Sequence, residues 1–343
     1  MGRETVRTMR VGAAATRAPP CANDADPMTV TSAIDAPSSA SVPVRRRGLD
    51  ADALSPQVVH VRSGATRWRL YRAGQGPRML LLHGTGSSGG SWSRIADLLS
   101  SDFEVLAPDL PGHGGSGTLA CGRAGLDEFA QAVSALLDDL RAPPDLIVGH
   151  SAGAAIGARI ALDLRSGGIP VISVNGALRP LTGWTAAAFV PLARLLGRNS
   201  LLPGFVATLV AADPRSVKRL LDSTGSNVDA AMLALYESLM RNRSHLAGTL
   251  RMLSRWDLRD LVADLPRLGA RLTLVAGLED RTVPAQHAHW AHALVPGSSL
   301  VSLPGLGHLA HEEAPEVVAR VVLSSIAASG VPVRVPPCKR GRP

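Results

Sequence analysis

The run Leu146-Ile147-Val148-Gly149-His150-Ser151-Ala152-Gly153-Ala154-Ala155 constrains this chain more than any other. A short apolar stretch, typical of a strand buried on both faces, leads without a linker into small helix-forming residues. A serine stands at the junction, with glycine two positions before it and two after. So sharp a strand-to-helix turn leaves no room for side chains around the serine, and glycine relieves the crowding. The turn lifts the hydroxyl off the sheet edge, and the helix behind it points its N-terminus at the same spot, where negative charge is favoured. A chain that contains this turn needs a parallel sheet with helices packed on it.

The rest of the sequence supplies one. Further short apolar runs fall at Met79–His83, Glu104–Ala107, Val171–Val174, Leu272–Gly277 and Ser299–Leu303, and helix-period segments fall at about 90–99, 126–140, 152–165, 284–294 and 315–328. Before them, Val58–Arg62 and Trp68–Arg72 bracket Ser63-Gly64 as a hairpin. Strands alternating with helices predict an α/β fold with a mainly parallel, doubly wound sheet. The alternation fails once, from about 176 to 260, where helical patterns are broken by Pro180, Pro191, Pro203 and Pro214. This stretch is expected to be a helical cap inserted into a domain spanning 48–330. Residues 1–47 and 331–343 carry no periodic apolar pattern and read as a disordered extension and a basic disordered tail. A chain trimmed to 48–330 is therefore expected to melt within a few degrees of the full length, and a larger drop in Tm would show that the ends contribute to folding.

A serine hydroxyl is a weak nucleophile and needs a base that is itself oriented by an acid. In chains with this turn they follow in the order serine, acid, histidine. Asp280 lies just beyond the Leu272–Gly277 strand and His308 just beyond Ser299–Leu303, so both loops open on the edge that carries Ser151. Glu279 and His311 compete for the two roles. A short carboxylate side chain holds an imidazole more rigidly, which favours Asp280, and His311 sits a turn deeper, where packing is its expected use. The backbone N–H groups of Thr85 and Ala152 are the expected pair of donors to a developing oxyanion. His83, His150, Asn175 and Arg179 are candidate substrate contacts. His287, His289 and His292 crowd one helical segment without the i, i+4 pairing of a zinc-binding helix, so no metal and no other cofactor is expected.

The formal net charge of +8 sits mostly at the ends. Residues 1–47 hold seven arginines against four acids, the last 13 residues hold four bases and no acid, and the body between is nearly neutral. Aromatic residues are 3%. No nucleic-acid surface is expected from such a body. Within it, residues 176–256 carry ten bases and four acids, among them Arg179, Arg194, Arg198, Arg215, Lys218, Arg219, Arg241 and Arg243. Three scattered cysteines form neither a disulfide framework nor a zinc motif, and no run reaches the roughly 18 apolar residues of a membrane span, so a cytoplasmic location is expected.

His83-Gly84, Pro108-Asp109-Leu110-Pro111-Gly112-His113-Gly114, Gly149–Gly153, Asp280 with Val283-Pro284, and Gly307-His308, taken in order, resemble the α/β-hydrolase superfamily over roughly residues 57–328. A narrower set includes the cap: Asn175-Gly176-Ala177-Leu178, Trp256-Asp257-Leu258, Asp264–Leu268 and Gly305–Glu313. With His150–Ala155 it is similar to the magnesium-chelatase accessory proteins of bacteriochlorophyll biosynthesis (BchO type). This resemblance implies a serine-triad hydrolase that serves tetrapyrrole metabolism, with a small apolar or tetrapyrrole substrate and chelatase subunits as possible partners. A basic cap would suit the two propionates of a porphyrin. Two alternatives stay open: a non-catalytic tetrapyrrole-binding accessory protein, and a general carboxylesterase or thioesterase.

Overall fold

The computed structural model describes residues 57–119, 124–163, 168–180 and 215–328, with Gly122, Thr208 and Asp213. The terminal segments 1–47 and 331–343, the first half of the expected cap and two of its arginines, Arg194 and Arg198, lie outside the described residues.

Eight strands form one sheet: β1 (Gln57–Ser63), β2 (Thr66–Ala73), β3 (Arg78–Leu82), β4 (Glu104–Pro108), β5 (Leu146–His150), β6 (Val171–Val174), β7 (Leu272–Gly277) and β8 (Ser299–Leu303). Their spatial order is β1-β2-β4-β3-β5-β6-β7-β8. β1 and β2 form the expected hairpin, with Ser63 paired to Thr66 across a two-residue turn. β2 also pairs antiparallel with β4, and every later pairing is parallel. The chain steps outward from β3 to β4 and then returns past β3 to lay down β5. Connections leaving in opposite directions open a crevice at the carboxyl ends of β3 and β5, which is where open α/β sheets place their ligands.

The continuous apolar runs of the central strands follow from burial on both faces. Leu80, Leu82 and Ile147 pack with Phe129 and Val133 of α2 (Leu126–Asp139) and Ile156 and Ile160 of α3 (Ala152–Asp163). Met79, Leu81 and Val148 face the other way, onto Ile95 and Leu99 of α1 (Ser93–Leu99) and a C-terminal helix that contributes Val318 and Val322.

Between β6 and β7 the described residues contain helices and no strand: α4 (Ser216–Ser223), α5 (Ala230–Arg241), α6 (Arg243–Arg255) and α7 (Arg259–Asp264). The Asp229 side chain caps α5 and the Asn242 side chain caps α6, each accepting from two backbone amides in the first turn. These helices lie on the loops at the carboxyl edge of the sheet. Val217, Leu221, Tyr236, Leu239, Met240 and Leu246 cluster with Leu309, beyond β8. Gly248 of α6 touches the loop after β4 so closely that a Cβ there would stand 2.0 Å from the Gly112 carbonyl oxygen. The chain closes with α8 (Gln286–Leu294), α9 (Ala310–Glu313) and α10 (Pro315–Ala328). No helix among the described residues is long and apolar enough to cross a membrane.

Candidate active site

Ser151 has φ of +51°, the left-handed region that a non-glycine residue enters at a cost of about 1–3 kcal/mol. Three backbone bonds hold it there: its N–H donates to the Val174 carbonyl, and its own carbonyl accepts from Ala154 and Ala177. The flanking glycines are spatially obligatory. A Cβ at Gly149 would lie 2.5 Å from the Ala154 backbone, and one at Gly153 would lie 2.2 Å from the Leu82 carbonyl oxygen. The turn after β3 crosses directly beside the serine, since a Cβ at Gly84 would stand 2.9 Å from Ser151 Cβ. Among the described residues, neither the Thr85 nor the Ala152 amide donates to a protein acceptor. The Thr85 hydroxyl points the other way, onto Met252 Sδ of α6 at 3.4 Å.

Asp280 and His308 meet as the loop placement predicts, with His308 Nδ1 2.8 Å from Asp280 Oδ2. That contact places the ring proton on Nδ1 and leaves Nε2 as the acceptor. Asp280 Oδ1 accepts from the Thr282 and Val283 amides at 2.8 and 2.7 Å, and Oδ2 takes a second bond, from Asn175. Both loops are tied to the end of α4, where the Thr224 carbonyl accepts from the Arg281 and His308 amides. No hydrogen bond joins the Ser151 hydroxyl to the His308 ring in this structure. Hydrogen bonds between groups that act together on a substrate are commonly loose before it binds.

Geometry separates the competing residues. Glu279 is exposed and makes no contact with His308, whereas Asp280 is buried against it. His311 is wholly buried between the Trp92 and His150 rings, with centroids 4.3 and 4.4 Å away, and does not reach Asp280. Burial pushes the His311 pKa down to about 3.

The candidate substrate contacts divide. His83 is fully buried; its Nδ1 faces the Gly84 carbonyl at 2.8 Å and its Nε2 accepts from the Leu110 amide at 2.9 Å, so both nitrogens serve the loops after β3 and β4. His150 donates from Nε2 to the His308 carbonyl at 2.8 Å and its ring lies against the His308 ring. Asn175 is buried among protein partners. Arg179 alone is partly open: its guanidinium lies 5.4 Å over the Trp290 ring of α8, and no acidic side chain among the described residues pairs with it. In contrast, Lys218, Arg219 and Arg241 form exposed ion pairs with Asp222, Asp213 and Glu237, the solvated arrangement that contributes little. His289 and His292 bond to Ala285 and Ser298, and no group of three or more ligand-type side chains among the described residues could hold a metal ion.

Three buried residues escaped the sequence reading. His245 of α6 accepts from the Gly114 amide at 3.0 Å and faces the Gly86 carbonyl at 3.2 Å, bridging two site loops to the cap. The Tyr236 hydroxyl of α5 donates to Glu312 Oε1 at 2.8 Å and lies 3.2 Å from Ser87 Oγ. Burial pushes Glu312 up to about 8. Each partner lies 75 or more residues away in sequence, and no local pattern marks such pairs.

This arrangement is that of a known class. Residues 79–321 match the alpha/beta hydrolase family, and the chain belongs to it. Within that class it is 38% identical to the magnesium-chelatase 30 kDa subunit of Rhodobacter capsulatus over 268 residues, covering 76% of this chain and 92% of that protein. It is 27% identical over 249 residues to the pimeloyl-[acyl-carrier protein] methyl ester esterase of Nitrosomonas europaea, covering 71% and 93%. Among solved structures, a thermophilic esterase from Thermogutta terrifontis superposes with a TM-score of 0.63 at 24% identity, over 80% of this chain and 99% of that one. This last likeness reaches the fold.

Proposed function

We propose that the protein is a serine hydrolase that serves magnesium chelatase in tetrapyrrole biosynthesis. In this reading Ser151 attacks a carbonyl carbon and His308 Nε2 takes its proton. Asp280 holds the imidazole and supports the positive charge it gains. The Thr85 and Ala152 amides receive the oxyanion. His308 passes that proton to the leaving group as its bond to the carbonyl carbon breaks, which leaves the acyl group on Ser151; water, giving a proton to His308, then attacks the acyl carbon, and the proton returns to Ser151 Oγ as the ester bond breaks. The observation that carries the reading is the strained Ser151 on its turn, on the same sheet edge as a buried Asp280–His308 pair. The tetrapyrrole assignment rests on the likeness to the chelatase 30 kDa subunit across 92% of its length. Arg179, stacked on Trp290 and free of an acidic partner among the described residues, is the cap-side group suited to a substrate carboxylate.

A second reading is a tetrapyrrole carrier without turnover. Treatment with a fluorophosphonate and peptide mass spectrometry separates the two: an adduct on Ser151 supports the hydrolase, and an unmodified Ser151 in folded protein supports the carrier. Protoporphyrin titration tests the substrate class. Binding is expected to weaken with added salt, and Arg179→Gln is expected to cost about 1–3 kcal/mol of affinity while turnover of small neutral esters persists. Brisk ester turnover with no porphyrin binding would leave a general esterase.

A further inference from the structure

The Asn175 amide spends both of its donors, and an acceptor bond, on the backbone of the loops after β7 and β8 and on the acid. Nδ2 donates to Asp280 Oδ2 and to the Gly307 carbonyl, both at 2.8 Å, and Oδ1 accepts from the Gly277 amide at 3.1 Å. The reverse orientation would set an oxygen against two acceptors, so the network fixes which atom is nitrogen. No donor remains for a substrate, and the residue is 2% exposed. Its backbone is equally committed. Asn175 sits immediately after β6 with φ of +48°, a region that asparagine tolerates better than most residues, and its N–H donates to the Val275 carbonyl. One residue back, Val174 accepts from the Ser151 amide, and two residues on, the Ala177 amide donates to the Ser151 carbonyl. The end of β6 is thus the point where the serine turn, the acid loop and the histidine loop are fastened together.

We propose that Asn175 is a positioning residue, donating at once to the Asp280 carboxylate and to the carbonyl before His308 so that the acid and the base keep one fixed separation across two loops. The proposal rests on the triad reading above. Asp280 already has backbone donors on Oδ1; the bond from Asn175 sets the angle of Oδ2, the oxygen that meets His308 Nδ1. A misplacement of about 1 Å at such a contact can cost on the order of 100-fold in rate.

Two variants and a double-variant comparison test it. Asn175→Asp keeps the size, the tolerance for positive φ and the acceptor for Gly277, and replaces the donor by a carboxylate facing a carboxylate; Asn175→Ala removes the amide. With a p-nitrophenyl ester, kcat is expected to fall about 10- to 100-fold in both while KM stays within about twofold. In an Asp280→Asn background the same substitutions are expected to cost less than about threefold, because the group through which Asn175 acts is already altered. The NMR resonance of the His308 Nδ1 proton, which bonds to Asp280 Oδ2, needs no turnover and is expected to shift in both single variants. Full multiplicative losses in the Asp280→Asn background, or an unchanged resonance in the folded Asn175→Asp protein, would overturn the proposal. A parent protein that turns over no ester would count against the hydrolase reading alone, because the resonance still decides whether Asn175 controls the Asp280–His308 contact.

Discussion

Ser151→Ala and His308→Ala are each expected to lose fluorophosphonate labelling and to lower ester turnover by about 10⁴-fold or more, with the double variant no worse than either. The non-additivity follows from the mechanism: without the base the hydroxyl is not activated, and without the hydroxyl there is nothing to activate. Asp280→Asn is expected to fall in the same range by letting His308 adopt the wrong tautomer. His311→Ala gives the contrast. The imidazole fills a site between Trp92 and His150, so truncation is expected to cost about 2–4 kcal/mol of stability, as buried deletions do, while the folded protein still reacts at Ser151. Labelling retained by Ser151→Ala, or lost only in His311→Ala, would show that the chemistry is carried elsewhere. Active-site titration and urea unfolding on the five variants provide both readings.

Unfolding free energy is expected to peak near pH 7 and fall on both sides. On the acid side the cause is histidine. Burial holds His83 and His311 down at about 3 and His245 at about 4, against an ordinary value near 6.5. The unfolded chain therefore binds protons that the folded one refuses, and the stability these residues contribute, complete about one pH unit above 6.5, is lost as pH falls toward 4. His113 and His150 are shifted in the same direction by burial. On the alkaline side the cause is Glu312, raised by burial to about 8 from an ordinary 4.5. Its contribution is complete below pH 4.5 and drains away as pH rises to 8. Between pH 4.5 and 6.5 the two effects oppose, and three histidines outweigh one carboxyl. With the three histidines set against the carboxyl at about 1.4 kcal/mol per proton per pH unit, roughly 3 kcal/mol is expected to be lost from pH 7 to 5, and about 1 kcal/mol from pH 7 to 9. Glu312→Gln is expected to flatten the alkaline limb and leave the acid limb in place. An unfolding free energy that still rises from pH 7.5 to 9 would contradict the assignment.

The fold was legible because its determinants are local. Period and length distinguish strands buried on two faces, such as Arg78–Leu82 and Leu146–His150, from the amphipathic helices between them, and Gly149 and Gly153 mark a turn that demands their size. Asp280 and His308 were legible for a related reason: a residue just past a parallel strand lies on the carboxyl edge whatever the strand order. The cap's helices were visible from the loss of alternation, whereas its charge was a poorer guide, because whether an arginine meets solvent, an aspartate or a ring depends on what packs beside it. Lys218 and Arg179 look alike in sequence and differ in the structure.

The sequence by itself determined the α/β class, the serine turn, the placement of Asp280 and His308 on the same sheet edge, and the location of the inserted helices, since each rests on spacing within a few residues or on chain order. Only the tertiary structure decided that β4 lies outside β3, that Asp280 rather than Glu279 meets His308, that His83 and His150 serve the scaffold, and that Asn175 joins three loops. Those are statements about hydrogen bonds between residues 27 to 158 positions apart. Their partners are set by the packing of whole elements, which no local pattern of residue types encodes.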